Sequence, residues 1–137
     1  MITAVDTNIL LDIFGADPKF GRASAEALRR CLAEGAMVAC EAVWVEAATA
    51  FDKQGPFIQA METLGIGYVP VTQVAALRAA VAWRHYRDND GKRTRVAADF
   101  LIGAQAVSEC DRLLTRDRGF YRSYFKGLNV LDPSAKG

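Results

Sequence analysis

The amino-acid sequence predicts an α/β fold on a mostly parallel sheet of about five strands. Three observations predict it. Short apolar, β-branched runs recur along the chain. Longer stretches with apolar residues at helical spacing lie between them. Gly, Pro and Asn/Asp clusters punctuate the joins. Strands alternating with helices mean βαβ crossovers, which cover both faces of a parallel sheet.

Residues 1–5, ending Ala4-Val5, read as a buried strand. Residues 8–14 form a short helical turn that ends near Gly15 and Pro18. An Ala/Leu/Arg-rich helix covers 20–34 and stops at Gly35. Met37-Val38-Ala39-Cys40 is a second strand. A helix follows over 42–53, with Val45, Ala48 and Phe51 at helical spacing. Gly55-Pro56 breaks it, and Pro56 suits the first turn of a helix reaching Leu64.

Gly65-Ile66-Gly67 leads into a third strand, Tyr68-Val69-Pro70-Val71, and Thr72 caps a helix to about Tyr86. Asp88-Asn89-Asp90-Gly91 reads as a turn, with Thr94 capping a helix over 95–109. Arg112 to Thr115 is a fourth strand, 117–125 a short turn or helix, and Leu128-Asn129-Val130-Leu131 a fifth strand closed by Asp132-Pro133. No repeat or linker interrupts this order, and 137 residues fit one domain, 1–137.

Composition narrows the function classes. Hydrophobic residues make up 51% and charged residues 24%, the profile of a globular protein with a sizeable core. No apolar run approaches the ~18 residues of a membrane span. Cys31, Cys40 and Cys110 have no paired spacing, which excludes a disulfide frame or zinc site. The N-terminal segment lacks a basic region and cleavage site, so the expected location is the cytoplasm. Residues 1–60 hold 5 Lys/Arg and 8 Asp/Glu, whereas 61–137 hold 12 and 8. The densest basic stretch, Arg84 to Arg95, suits either phosphate contacts or a solvated face.

Four carboxylates carry the chemical signal. Asp6 follows the first strand and Asp117 the fourth, so both point to the sheet edge where ligands of open α/β sheets bind. Glu46 and Asp99 interrupt apolar helical stretches and are expected near helix N-termini, whose partial charge offsets carboxylate crowding. Crowded carboxylates repel and persist when a cation neutralises them. A hard divalent ion with oxygen ligands, Mg²⁺ or Mn²⁺, is the natural candidate, and it suggests phosphodiester chemistry.

Other residues weigh less. Glu41 rivals Glu46 but also suits a helix cap, and the Val43-Trp44-Val45-Glu46-Ala47-Ala48 context favours Glu46. Asp12 is expected exposed, or at most behind the site. His85, the one histidine, reads as a surface residue between Arg84 and Arg87. Trp44 and Trp83 read as core or dimer-interface residues. Asp88-Asn89-Asp90-Gly91 is no calcium loop, because Ala97 stands where the closing acid is required.

Four segments in order resemble one family: Val5-Asp6-Thr7-Asn8-Ile9-Leu10-Leu11, Val43 to Ala48, Ala97-Ala98-Asp99-Phe100-Leu101-Ile102-Gly103-Ala104-Gln105-Ala106, and Leu113-Leu114-Thr115-Arg116-Asp117-Arg118-Gly119-Phe120-Tyr121. With the closing Leu128 to Pro133, essentially the whole chain resembles the PIN-domain ribonucleases, and within them the VapC toxins of toxin–antitoxin pairs. The resemblance implies a three-layer α/β/α sandwich and endonucleolytic cleavage of single-stranded RNA with one or two Mg²⁺ or Mn²⁺ ions. It also implies a homodimer and a VapB-type antitoxin.

Carried over by position, the acidic quartet is Asp6, Glu46, Asp99 and Asp117. The resemblance makes Asp6 and Asp99 the main metal ligands. Glu46 and Asp117 act through water or at a second metal position. Thr7, Asn8 and Thr115 match positions that orient the acids or contact phosphate, and Lys92, Arg93 and Arg95 are candidates to grip RNA or antitoxin. Two rivals stand beside this reading. One is a non-catalytic PIN module that binds RNA or a protein. The other is a phosphatase with Asp6 as covalent nucleophile, which Asn8 disfavours where that class has a second Asp.

Overall fold

The computed structural model describes residues 1–90 and 95–134. Five strands form one sheet: β1 (Ile2–Val5), β2 (Ala36–Ala39), β3 (Ile66–Tyr68), β4 (Arg112–Leu114) and β5 (Val130–Leu131). Their order is β3-β2-β1-β4-β5, and every pairing is parallel. The central strands are buried on both faces, as Thr3, Ala4, Val5, Leu113 and Leu114 show.

Helices make every crossover. They are α1 (Thr7–Phe14), α2 (Gly21–Glu34), α3 (Glu41–Ala48), α4 (Gln54–Thr63), α5 (Gln73–Asp90), α6 (Ala97–Glu109) and α7 (Arg118–Tyr124). The chain steps from β1 towards β3 on one side, then returns to β4 and β5 on the other. Right-handed crossovers in opposite directions put α1–α4 and α5–α7 on opposite faces. Within each group α1 lies against α2 and α3, and α5 against α6 and α7, while α3 and α6 also meet. The reversal leaves a crevice between the carboxyl ends of β1 and β4, where such folds bind ligands.

Several boundaries differ from the sequence reading. β3 begins earlier, at Ile66; Val69 N–H still pairs with Ala39 O at 3.1 Å, and Pro70, with no N–H, ends the ladder. α3 stops at Ala48, because Thr49, Ala50 and Phe51 tighten onto carbonyls three residues back and the Thr49 hydroxyl takes the Glu46 carbonyl at 2.5 Å. Glu46 therefore sits in the last turn of its helix, not near its start. The expected turn at Asp88 is helix instead: α5 runs through Asp90, with Asn89 bonded to His85 one turn back at 2.9 Å. Thr94, the expected cap, lies outside the described residues.

The two tryptophans pack as expected for the core side. Trp44 meets Phe57 and Tyr68 edge-on, each at 5.3 Å. Trp83 stacks on Phe100 at 5.5 Å and 13° between planes. Gly103 lets α6 approach Phe125 closely, since a Cβ there would lie 2.4 Å from the ring.

Candidate active site

The strand-to-helix step after β1 builds the first half of the site. Asp6 N–H extends the ladder to Leu114 O at 2.9 Å, and Asp6 then caps α1. Its Oδ1 accepts the Thr7 N–H at 2.7 Å. Its Oδ2 accepts the Thr115 hydroxyl at 2.7 Å and the Asn8 amide at 3.3 Å. All these donors are neutral. Burial therefore dominates, and with the Asp99 charge adding to it the Asp6 carboxyl is pushed up to about 6.

The step after β4 builds the second half. Thr115 is fully buried; besides donating to Asp6, it accepts the Asp117 N–H at 3.0 Å. Asn8 Oδ1 accepts the Arg116 N–H at 3.2 Å. Asn8 and Thr115 thus lock the two loops together. Thr7 turns the other way, and its hydroxyl donates to Glu46 Oε1 at 2.7 Å.

Asp99 stands in the first turn of α6. Burial raises its pKa, with the charges of Glu46 and Asp117 adding and Arg95 opposing. Arg95 donates to Asp117 and lies 3.9 Å from Asp99. Burial works against the Arg95 charge, yet the bond and charge of Asp117 hold its pKa above the ordinary value. The guanidinium lies over the Phe120 ring at 4.2 Å.

The expected residues Asp6, Thr7, Asn8, Glu46, Asp99, Thr115 and Asp117 thus share one sheet edge, with Arg95 among them. Glu41 does not join them: its carboxylate accepts the Val71 N–H at 3.0 Å and pins the segment after β3. Lys92 and Arg93 lie outside the described residues. No three His, Cys, Asp or Glu residues among those described are grouped closely enough to hold a metal as they stand. The donor chemistry nevertheless suits a hard cation: the four acids offer only oxygen, and burial, with neighbouring acid charges adding to it, raises Asp6 and Asp99.

The sequence model of the PIN domain matches residues 3–126. The chain belongs to the PIN domain family. No curated protein matches it in sequence. Among solved structures, this PIN domain is similar to a chain of VapBC-1 from nontypeable Haemophilus influenzae, with TM-score 0.73 and 21% identity over 98% of this chain and 100% of that one. It is also similar to a chain of VapBC2 from Rickettsia felis bound to a promoter DNA fragment, with TM-score 0.72 and 16% identity over 96% and 98%. A third likeness is to FitAcB from Neisseria gonorrhoeae, with TM-score 0.67 and 21% identity over 97% and 98%. At these identities the likeness speaks for the fold.

Two features of this PIN domain escaped the sequence reading. Asp12, expected exposed or at most behind the site, is buried, because it pairs with Arg116 at 2.6 and 2.9 Å and accepts the Ser24 hydroxyl at 2.8 Å. Its spacing of four from Asn8 was the available signal, since both face Arg116 from one side of α1. Tyr121 is fully buried, and its hydroxyl has no hydrogen-bond partner of ordinary geometry among the described residues. Burial, then the charges of Asp6 and Asp99, hold it firmly as the phenol. Its spacing of four from Asp117 on α7 places it at the site.

Proposed function

We propose that this PIN domain, taken as one domain over 1–137, is a metal-dependent endoribonuclease of single-stranded RNA and the toxin of a VapBC-type pair in the cytoplasm. The observation that carries the reading is one connected network. Glu46 accepts from Thr7, Asp6 from Thr7 and Thr115, and Thr115 in turn holds Asp117. Four acids on one open edge are hard to explain as a fold requirement, since their mutual repulsion costs stability.

Asp6 and Asp99 are assigned as the main ligands of Mg²⁺ or Mn²⁺, one or two ions per site, with Glu46 and Asp117 acting through water or at a second position. A divalent ion, when bound, lowers the pKa of water and stabilises charge on phosphate oxygens. The chain supplies the rest. Thr7, Asn8 and Thr115 fix carboxylate orientation through bonds of 2.7 to 3.3 Å. Arg95, and Lys92 and Arg93 before it, are assigned to RNA phosphate or antitoxin.

A VapB-type antitoxin is supported by likeness to chains of VapBC complexes. A homodimer is supported by Val74, Leu77 and Val81, which line one side of α5 at 64–69% exposure. The test is cleavage of total cellular RNA by the purified chain with Mg²⁺, Mn²⁺ or EDTA, beside Asp6→Asn. Metal-dependent fragments that vanish in Asp6→Asn are expected. RNA binding without cleavage would replace this reading with a non-catalytic module, which the guanidinium of Arg95 among the acids favours.

A further inference from the structure

We propose that Arg95 is a built-in competitor for the cation position of this site, so that it must leave Asp117 before a divalent ion is held there. The proposal rests on the metal-dependent reading above. Asp6 and Glu46 receive their hydrogen bonds from neutral groups: the Thr7 N–H and hydroxyl, Asn8 and Thr115. Among the described residues, Arg95 is the one cation within ion-pair distance of the four acids. It bridges two of them, bonded to Asp117 and 3.9 Å from Asp99.

The guanidinium is also held from behind. The Phe120 ring lies 4.2 Å beneath it, and Phe120 is buried against Phe100 at 5.3 Å. A surface arginine would sample many rotamers. This one is fixed by an ion pair on one side and a ring on the other.

Occupancy by Arg95 and by an ion exclude each other. A divalent ion sits about 2.1 Å from its carboxylate oxygens, inside the space an N–H donor needs, and the two cations repel. An ion therefore meets only the fraction of molecules in which Arg95 has swung away, and its apparent affinity falls by that fraction. Linkage makes the effect reciprocal: whatever factor Arg95 takes from ion affinity, the ion takes from the Arg95–Asp117 contact. The released guanidinium regains a planar fork of donors suited to phosphate. Arg95 would thus answer to the ion first and to an anionic substrate second.

Calorimetric titration of Mn²⁺ into the wild-type chain and Arg95→Ala tests this. Arg95→Ala is expected to bind Mn²⁺ about tenfold more tightly. Equal or weaker binding overturns the proposal and leaves the metal-dependent reading intact, because the wild type still takes the ion. No Mn²⁺ binding by either chain overturns both. Removing a positive charge alone also favours a cation, so a second measurement uses the wild type. Phenylglyoxal modification of Arg95, mapped by mass spectrometry, is expected to rise on adding Mn²⁺. Unchanged reactivity at saturating Mn²⁺ overturns the proposal whatever the variant does.

Discussion

Arg116 grips Asp12 at two points, Nε to Oδ2 at 2.6 Å and Nη2 to Oδ1 at 2.9 Å, and so ties the exit of β4 to the middle of α1. The same guanidinium lies over the Phe20 ring at 4.0 Å. Asp12 is buried and Arg116 only partly so. Removing the acid leaves an arginine half in the protein without its partner. Asp12→Ala is expected to lower unfolding free energy by about 2–3 kcal/mol, below the full cost of breaking a buried pair because Arg116 reaches solvent. Arg116→Lys loses the two-point geometry and should cost about 1 kcal/mol. Urea denaturation checks both, and a loss under 0.5 kcal/mol for Asp12→Ala, roughly the surface-pair value, would show the pair to be incidental.

Asp6 should give the metal-free chain a pH-dependent weakness. Its pKa is about 6 in the fold against an ordinary 3.8, raised chiefly by burial. The unfolded chain therefore loses this proton first, and the fold loses stability as pH rises between those values. Asp6→Asn removes the penalty. The expected gain is about 2 kcal/mol above pH ~7, shrinking to little below pH ~4. Denaturation midpoints across that range decide it; a gain flat with pH would place the cause elsewhere.

Thr115 makes three bonds with one hydroxyl, donating to Asp6 and accepting from the Asp117 N–H and the Asn8 amide. Thr115→Val keeps the shape and deletes all three. About 1–3 kcal/mol of stability should be lost, since a buried carboxylate and a backbone donor each lose a partner. RNA cleavage should fall with it. Thr115→Ser keeps the hydroxyl and should retain most activity. Equal activity for Val and Ser would remove Thr115 from the working site.

Gly103 is set by contact, not by backbone conformation. An added Cβ would lie 2.4 to 2.7 Å from three atoms of the Phe125 ring. Gly103→Ala gains helix propensity of about 1 kcal/mol but overpacks a buried ring at a cost of about 1–3 kcal/mol. A net loss is expected, relieved when Phe125→Leu is combined with it. Simple additivity of the two changes would contradict the clash.

The fold was legible because the signals were local and repeated. Apolar runs at 1–5, 37–40 and 112–115 coincide within one residue with β1, β2 and β4. The carboxylates were legible because a charge after a buried strand or inside an apolar helix is conspicuous. What escaped depends on distant partners. Asp12 looks like any helical acid until Arg116, 104 residues on, folds back onto it. Glu46 ends its helix because Thr49 competes for its carbonyl, a side-chain effect that apolar spacing does not record. The Asp-Asn-Asp run carried turn chemistry, but α5 continues through it, with the Asn89–His85 bond across one turn.

The stacking of Trp83 on Phe100 gives the molecule an optical probe of its own. Phe100 follows Asp99 directly, and Arg87 lies over the indole at 4.6 Å. Trp44, the other indole, sits against Phe57 and Tyr68, in a different aromatic cluster. Replacing Trp44 with Phe would leave one tryptophan, adjoining the helix that carries Asp99. Any event that shifts the start of α6 would then register as a change in fluorescence, without a dye or an RNA.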